Sequence, residues 1–464
     1  MGTTLTHLRG VALRAILLLF ICSFGTKQNF AQTIYYVDFS ATGNADGTTW
    51  TDAYPNLQQA LLNPLLSSGD EIWVAKGTYR PAVSDQDSAF VLTDGVALYG
   101  SFAGTETAVS QRDLTQDTTY LDGDLLEDDN RTGGSNAENS RTIVYCKNVS
   151  STTILDGFVI SSGNAASGSD AFSPKASGGG IFIDASNANV SAPTIRNCTV
   201  RNNEALFGGA MFINGAFDGT ASPTIDNCNF KDNYASNDGA AIYNSGFNSG
   251  TPGRGGNPTI RYCRFTGNDT NASGGAIFNG AFGGQTNPYY LNCTFDNNFA
   301  TGNGGAIYNQ GNSGTCDPLF VNCLFYENVG FSGGAIYNAG LDAGSASPTF
   351  RNCTFYKNEA RDGGFAGAIY NNADNDGTGK SSTVVVNCIF EANEASKKPS
   401  VFRNIHSTPN ISYTVVDLIN YDSLNNGPGS NLTEGSGVIY QGDAKFIDPN
   451  NGDFHPGQDS DAYN

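Results

Sequence analysis

The chain has 464 residues, 57 of them Gly, and a formal net charge of −20 at neutral pH. Its 24 Lys and Arg against 44 Asp and Glu exclude a phosphate-tracking nucleic-acid surface, which needs clustered cations. The Gly content argues against helix bundles, and 21 Tyr with 29 Phe exclude wholesale disorder.

Arg9 and Arg14 precede an apolar run over 15–21, and small residues follow near Gly25 and Ala31. This pattern reads as a secretory signal peptide over 1–32, with cleavage expected after Ala31. No later segment has about 18 consecutive apolar residues. The expectation is an exported protein, secreted or on the outer cell surface, with no membrane span after signal removal.

Ile34-Tyr-Tyr-Val37 reads as a strand. The segment from Pro55 to about Asn63 reads as a short amphipathic helix, with Leu57, Ala60 and Leu61 on one face and Pro64 as the stop. Strands follow at 72–75 and 96–99. Beyond residue 190 the chain repeats itself. Cys198, Cys228, Cys263, Cys293, Cys323, Cys353 and Cys388 recur at spacings of about 30 to 35 residues. Three residues before each Cys, and two after it, every position is apolar, whereas the positions between them vary. Such alternation marks strands with one buried face. A third strand follows as Ala-Ile-Tyr-Asn, at Ala306-Ile-Tyr-Asn309 for example.

Columns stay aligned over such spacings only when the chain coils back above itself, each strand pairing in parallel with its counterpart one rung on. The fold expected is therefore all-β: a single-stranded right-handed parallel β-helix, a solenoid of three short strands per coil, with a short N-terminal capping helix. Residues 33–146 are the expected cap and first coils, 147–400 the regular repeats, and 401–464 the last coils and a C-terminal cover. Asn197, Asn227, Asn292, Asn322, Asn352 and Asn387 form one Asn column. Asn203, Asn233, Asn268, Asn298, Asn328, Asn358 and Asn393 form a second. Both are read as structural ladders at sharp corners. The Cys column is read as small buried filler, since parallel Cβ vectors suit disulfides poorly and no Cys-x-x-Cys motif is present.

Phe230-Lys-Asp-Asn233, Phe295-Asp-Asn-Asn298 and Phe355-Tyr-Lys-Asn358 match Phe-x-x-Asn. Gly274-Gly-Ala-Ile277, Gly304-Gly-Ala-Ile307 and Gly333-Gly-Ala-Ile336 match Gly-Gly-Ala-Ile. Together these resemble the repeats of chlamydial polymorphic outer-membrane proteins and related right-handed β-helix proteins of the pectin-lyase-like superfamily. The resemblance spans about residues 34–454. It implies the fold and a surface or secreted setting, and says little about activity. No counterpart of that family's C-terminal membrane barrel is expected in this sequence.

Sugar-cleaving enzymes share this superfamily, so catalytic groups must be sought. Only His7, His406 and His455 are present, which disfavours histidine-dependent mechanisms. The Asn-Thr-Asp, Asp-Asp, Gly-His-Gly and Arg-Ile-Lys set that polygalacturonase-type hydrolases resemble each other in is not found in order. Glu359 and Glu394 are the weak acid/base candidates, expected to stack one rung apart. No cofactor motif is present. Calcium is the one ion considered, at Asn372, Asp374 and Asp376 in a partial Asp-x-Asn-x-Asp-Gly-like loop, or at the acidic group Asp122, Asp124, Asp128 and Asp129. An aromatic column (Phe212, Tyr243, Phe278, Tyr308, Tyr337, Tyr370) lies beside the Ile column. With Ile inward, these rings are expected outside as a flat stripe for ligand contact. The function expected is a non-catalytic adhesin or scaffold binding carbohydrate or another surface protein. A polysaccharide lyase or glycoside hydrolase is the alternative, and a fragment of a larger surface fibre the third reading.

Overall fold

The computed structural model describes residues 32–129, 136–248, 250–251, 253–374, 378–417, 424–426, 428–440, 443–449 and 453–463. The expected signal segment lies outside them, apart from Gln32. Among the described residues, three long parallel sheets run the length of the molecule, with 13, 12 and 11 strands. Sheet 1 holds the strands before the Asn-Cys corner, sheet 2 those after it, and sheet 3 the Ile-Tyr-Asn strands. One coil runs Tyr289–Leu291, Thr294–Asp296, Phe299–Ala300 and Ile307–Asn312. The next begins at Leu319–Val321, in register above the first. This is a parallel β-helix. A shorter fourth sheet of eight strands, most of them two residues long, lies between sheets 2 and 3.

The columns explain the coil. The Cys column is a single buried line, at most 3 % exposed. All nine described cysteines are free, and each column thiol donates to a nearby carbonyl, as Cys293 Sγ does to Leu291 O at 3.4 Å. Burial pushes the Cys146 and Cys316 thiols up to about 12, so at neutral pH they stay protonated and unreactive. Next to the Cys, Asn197, Asn292 and Asn322 sit at φ near +53°. That left-handed corner is why Asn recurs there. In the second Asn column the left-handed residue is the preceding one, such as Asn297 or Glu327, and the ladder Asn points inward, fully buried.

Two regularities went unread in the sequence. Pro193, Pro223, Pro258, Pro288, Pro318 and Pro348 each precede a sheet 1 strand, and each carbonyl accepts from the next rung, as Pro288 O does from Leu319 N. A residue without an N–H suits the first position of a strand. A third Asn ladder lies in sheet 3, where Asn279 Nδ2 donates to Asn309 Oδ1 at 2.9 Å and Asn309 to Asn338 at 2.8 Å.

The top is capped as expected. Helix α1, Leu57–Leu61, has Asn56 as N-cap, its side chain accepting from Gln59 N at 3.1 Å. Leu57, Ala60 and Leu61 are buried and join the main core, closing the end a solenoid must cover. At the other end, an antiparallel pair, Phe446–Asp448 with Asp453–Pro456, folds back along the outside of sheet 2.

Candidate binding face

The outward column of sheet 2 reads Arg201, Lys231, Thr266, Asp296, Tyr326, Tyr356 and Glu391 on successive rungs. Its lower part is covered. Phe454 packs on Tyr326 and Tyr356 with ring centroids 5.1 and 5.4 Å away, and Phe446 meets Tyr356 edge-on. Ala444 N donates to Glu391 Oε2 at 3.1 Å, and burial raises that carboxyl above its usual range. The middle is neutralised internally. Arg264 makes a bidentate pair with the buried Asp296 at 2.8 and 3.0 Å, which raises the guanidinium.

Among the described residues, the upper part is open. A cleft of about 820 Å³ lies over Arg201 and Lys231, bounded by Asp129, Asn139, Glu204, Asp232 and Tyr234. The Arg201 guanidinium lies 6.0 Å from the Tyr120 ring, and its buried Nε has no hydrogen-bond partner among the described residues. Lys231 Nζ is 3.6 Å from Asp232. Asn136 Nδ2 donates to Glu204 Oε2 at 2.8 Å. This arrangement supplies cations, carboxylates, amides and one ring to a single polar opening, the mix that hydrogen-bonds hydroxyl-rich ligands. Arg201 and Lys231 share a column and were legible as neighbours. Asn136 and Asn139 come from the irregular first coils, where no column marks them.

The sequence candidates fare variously. Glu359 and Glu394 do pair in register one rung apart. Arg361 Nη2 lies 3.1 Å from Glu359 Oε2, and both carboxylates border a second depression of about 450 Å³. Asn372 lies in a sheet 3 strand opposite Ala339, and Asp374, just after it, accepts from Asp342 N. Asp376 lies outside the described residues. Within the acidic group, Asp122 is taken by Arg80 at 3.5 Å, whereas Asp124 and Asp128 stay together and gain Glu138.

The aromatic column needs a correction. Ile277, Ile307 and Ile336 do face the main core, fully buried, and the rings do stack outside it, with Phe278, Tyr308, Tyr337 and Tyr370 at centroid spacings of 4.8–5.0 Å. They are not an exposed stripe. Phe278 is 4 % exposed, and Tyr337 and Tyr370 are 9 %. Phe282 packs on Phe278, Phe207 on Tyr243 and Phe172 on Phe212, while Phe365 joins Tyr337 and Tyr370. Phe282 and Phe365 at strand ends and Phe172 and Phe207 in the segments before sheet 3 strands supply these covering rings, so the stripe is an outer packing layer. The rings stand outside the main core as expected, but Phe212, Phe278, Tyr337 and Tyr370 are buried and Tyr243 and Tyr308 half-buried, so the stripe is largely covered.

Beside this stripe, Asp238 accepts from Ser273 N at 3.0 Å, and burial pushes its carboxyl up to about 6. Its folded value lies above the unfolded one, so ionisation opposes folding. The favourable contribution is complete below pH 3.8 and is lost as pH rises through about 6. Asp238→Asn is therefore expected to stabilise the chain at pH 8 by about 1–2 kcal/mol, discounted for partial exposure, with no gain at pH 4. Urea midpoints of both proteins at the two pH values measure this.

Fold and face together define a parallel β-helix protein with an open polar cleft on one sheet. The Chlamydia polymorphic membrane protein repeat matches residues 227–245 and 292–310. No curated protein matches the chain. Among solved structures, a rhamnogalacturonan lyase is similar over 89 % of this chain and 90 % of its own, with 13 % identity and a TM-score of 0.40. The deglycosylated pectin methylesterase of Aspergillus niger is similar over 88 % and 87 %, with 15 % identity and a TM-score of 0.23. No helix among the described residues is long and apolar enough to cross a membrane.

Proposed function

We propose that this chain is a secreted or surface-displayed β-helix scaffold that binds carbohydrate in the cleft above Arg201 and Lys231, without cleaving it. The observation that carries the reading is a contrast within sheet 2. Arg264 is neutralised by Asp296, while Arg201, with no ion pair among the described residues, borders the polar cleft. A guanidinium without a carboxylate partner at a cleft can donate its remaining N–H groups to a ligand acceptor. The repeats matched at 227–245 and 292–310 support a surface setting.

Arg and Lys beside carboxylates on adjacent rungs are also the groups a polysaccharide lyase or hydrolase would use, so cleavage is the second reading. A glycan array tests the first. The chain is expected to retain a defined glycan class, and Arg201→Ala with Lys231→Ala is expected to weaken retention at least about ten-fold, one lost charge-assisted contact being worth that much. Binding unchanged in the double variant sinks the cleft as the site. Release of shortened sugars from a retained glycan by the purified chain makes the second reading the correct one.

A further inference from the structure

Tyr145 is the first ring of the outward column of sheet 3. It pairs in register with Val91 on one side and Phe182 on the other, and its ring centroid lies 5.8 Å from that of Phe182. Further along the column, Phe172 covers Phe212, Phe207 covers Tyr243 and Phe282 covers Phe278. Among the described residues no ring covers Tyr145 or Val91 in this way, and Val91 is 52 % exposed. Over these two side chains lies a pocket of about 220 Å³, walled also by Ala89 and Pro174. Drug-sized ligands occupy about 300–1,000 Å³, so this one has room for a single ring.

The rim of the pocket is charged. Asp87 accepts from Arg141 Nη1 and, at 2.8 Å, from Lys175 Nζ. The Lys175 hydrogen bond, with that of Arg141, holds the Asp87 carboxyl below its usual range, so it is ionised at neutral pH. Two cations against one carboxylate leave one positive charge in excess among the lining residues. Donors also remain. Lys175 is half exposed and its Nζ donates to Asp87 alone. Arg141 Nε is held by Ser167 Oγ at 2.8 Å, while its Nη2 has no hydrogen-bond partner among the described residues. Exposed ion pairs of this kind are worth little, so a second carboxylate can share the two cations at small cost. Floor and wall are fixed beforehand: Tyr145 OH donates to Asp184 Oδ2, and Thr142 Oγ1 to Pro174 O, both at 2.9 Å.

We propose that this pocket binds a small aromatic carboxylate, with its ring on Val91 and Tyr145 and its carboxylate on Lys175 and Arg141. The ring takes the role that a covering Phe plays elsewhere along the column, burying apolar surface against an aromatic edge or face. The excess positive charge selects one anionic group, and a guanidinium fork with uncommitted N–H groups matches carboxylate geometry. The pocket belongs to sheet 3 and the Arg201 cleft to sheet 2, so the proposal stands or falls apart from the glycan reading.

The test is a ligand-observed NMR titration of the purified chain with phenylacetate. Saturable binding is expected, with a dissociation constant of about 10⁻⁵–10⁻³ M for a ligand of this size. Phenylacetamide, which keeps the ring, and acetate, which keeps the charge, are each expected to bind at least about ten-fold more weakly, the worth of one charge-assisted contact or one buried ring. Lys175→Gln is expected to cut the preference for the acid over the amide at least about five-fold. Val91→Phe supplies the absent cover in the chain itself. It is expected to weaken phenylacetate at least about ten-fold by filling the pocket, with a melting temperature at or above the parent's. Lys231→Ala, in the cleft of the other sheet, is expected to leave binding unchanged. No saturable binding, an amide that binds as tightly as the acid, binding retained in both Val91→Phe and Lys175→Gln, or loss in Lys231→Ala overturns the proposal.

Discussion

Replacing Asn298 by Ala will destabilise the chain by about 3–5 kcal/mol, the cost of stranding two or more buried polar groups. Asn298 Nδ2 donates to Asn328 Oδ1 and to Phe265 O, both at 2.9 Å. Its Oδ1 accepts from Asn268 Nδ2 at 2.9 Å and from Asn268 N at 3.2 Å. Truncation leaves the Asn268 N–H and one of its amide hydrogens facing a void. The side chain is fully buried, so bulk water does not reach the stranded donors. Asn322, in the other column, is the contrast. Its ladder is exposed, with Asn322 Nδ2 to Asn292 Oδ1 at 3.1 Å, and water replaces that bond. Asn322→Ala should cost only about 1 kcal/mol, the left-handed penalty at φ +54°, and Asn322→Gly should recover most of it. Urea denaturation of the three variants decides. Equal losses at Asn298 and Asn322 would mean that the ladders do not differ in burial.

How far the sequence was legible follows from what repeats. Positions that recur at every coil face the same surroundings at every coil. The Cys, Ile and Phe columns could therefore be assigned inward, and the two corner Asn columns read as ladders, before any coordinates. The Pro column and the third ladder through Asn309 and Asn338 carried the same signal and were there to be read. Reading failed where a non-repeating segment meets a repeating one. The ring stripe through Tyr308 and Tyr337 does face outward, but Phe172 and Phe365, which help to cover it, occur once each and belong to no column. The covered lower rungs of sheet 2 depend on Phe446 and Phe454, from the irregular C-terminal part. Asp124 and Glu138 come together from either side of a Gly- and Asn-rich stretch that no periodicity marks. A solenoid thus yields its scaffold to inspection and hides its sites, because sites sit where the repeat is broken.

Phe295→Ala is expected to cost about 4–5 kcal/mol, since removing a buried Phe alone costs about 3–5 and each stacked pair adds about 0.5–1.5 before relaxation. The ring is fully buried. It stacks between Phe265 and Phe325 at centroid spacings of 4.8 Å, with planes within 5°, and meets Tyr290 edge-on at 6.0 Å. The neighbouring rungs cannot collapse into the gap, because their strands are held in register above and below by backbone bonds. Phe295→Leu refills most of the volume and should cost about 1–2 kcal/mol. The effect should also change the shape of unfolding. Each rung of a solenoid contacts only its neighbours, so coupling between the two halves passes through this one layer. Urea titration of Phe295→Ala is expected to show a lower midpoint and a broadened or split transition, with the half that carries the α1 cap unfolding separately from the other. A single sharp transition at the parent midpoint would show that the Phe column contributes neither the stability nor the continuity assigned to it.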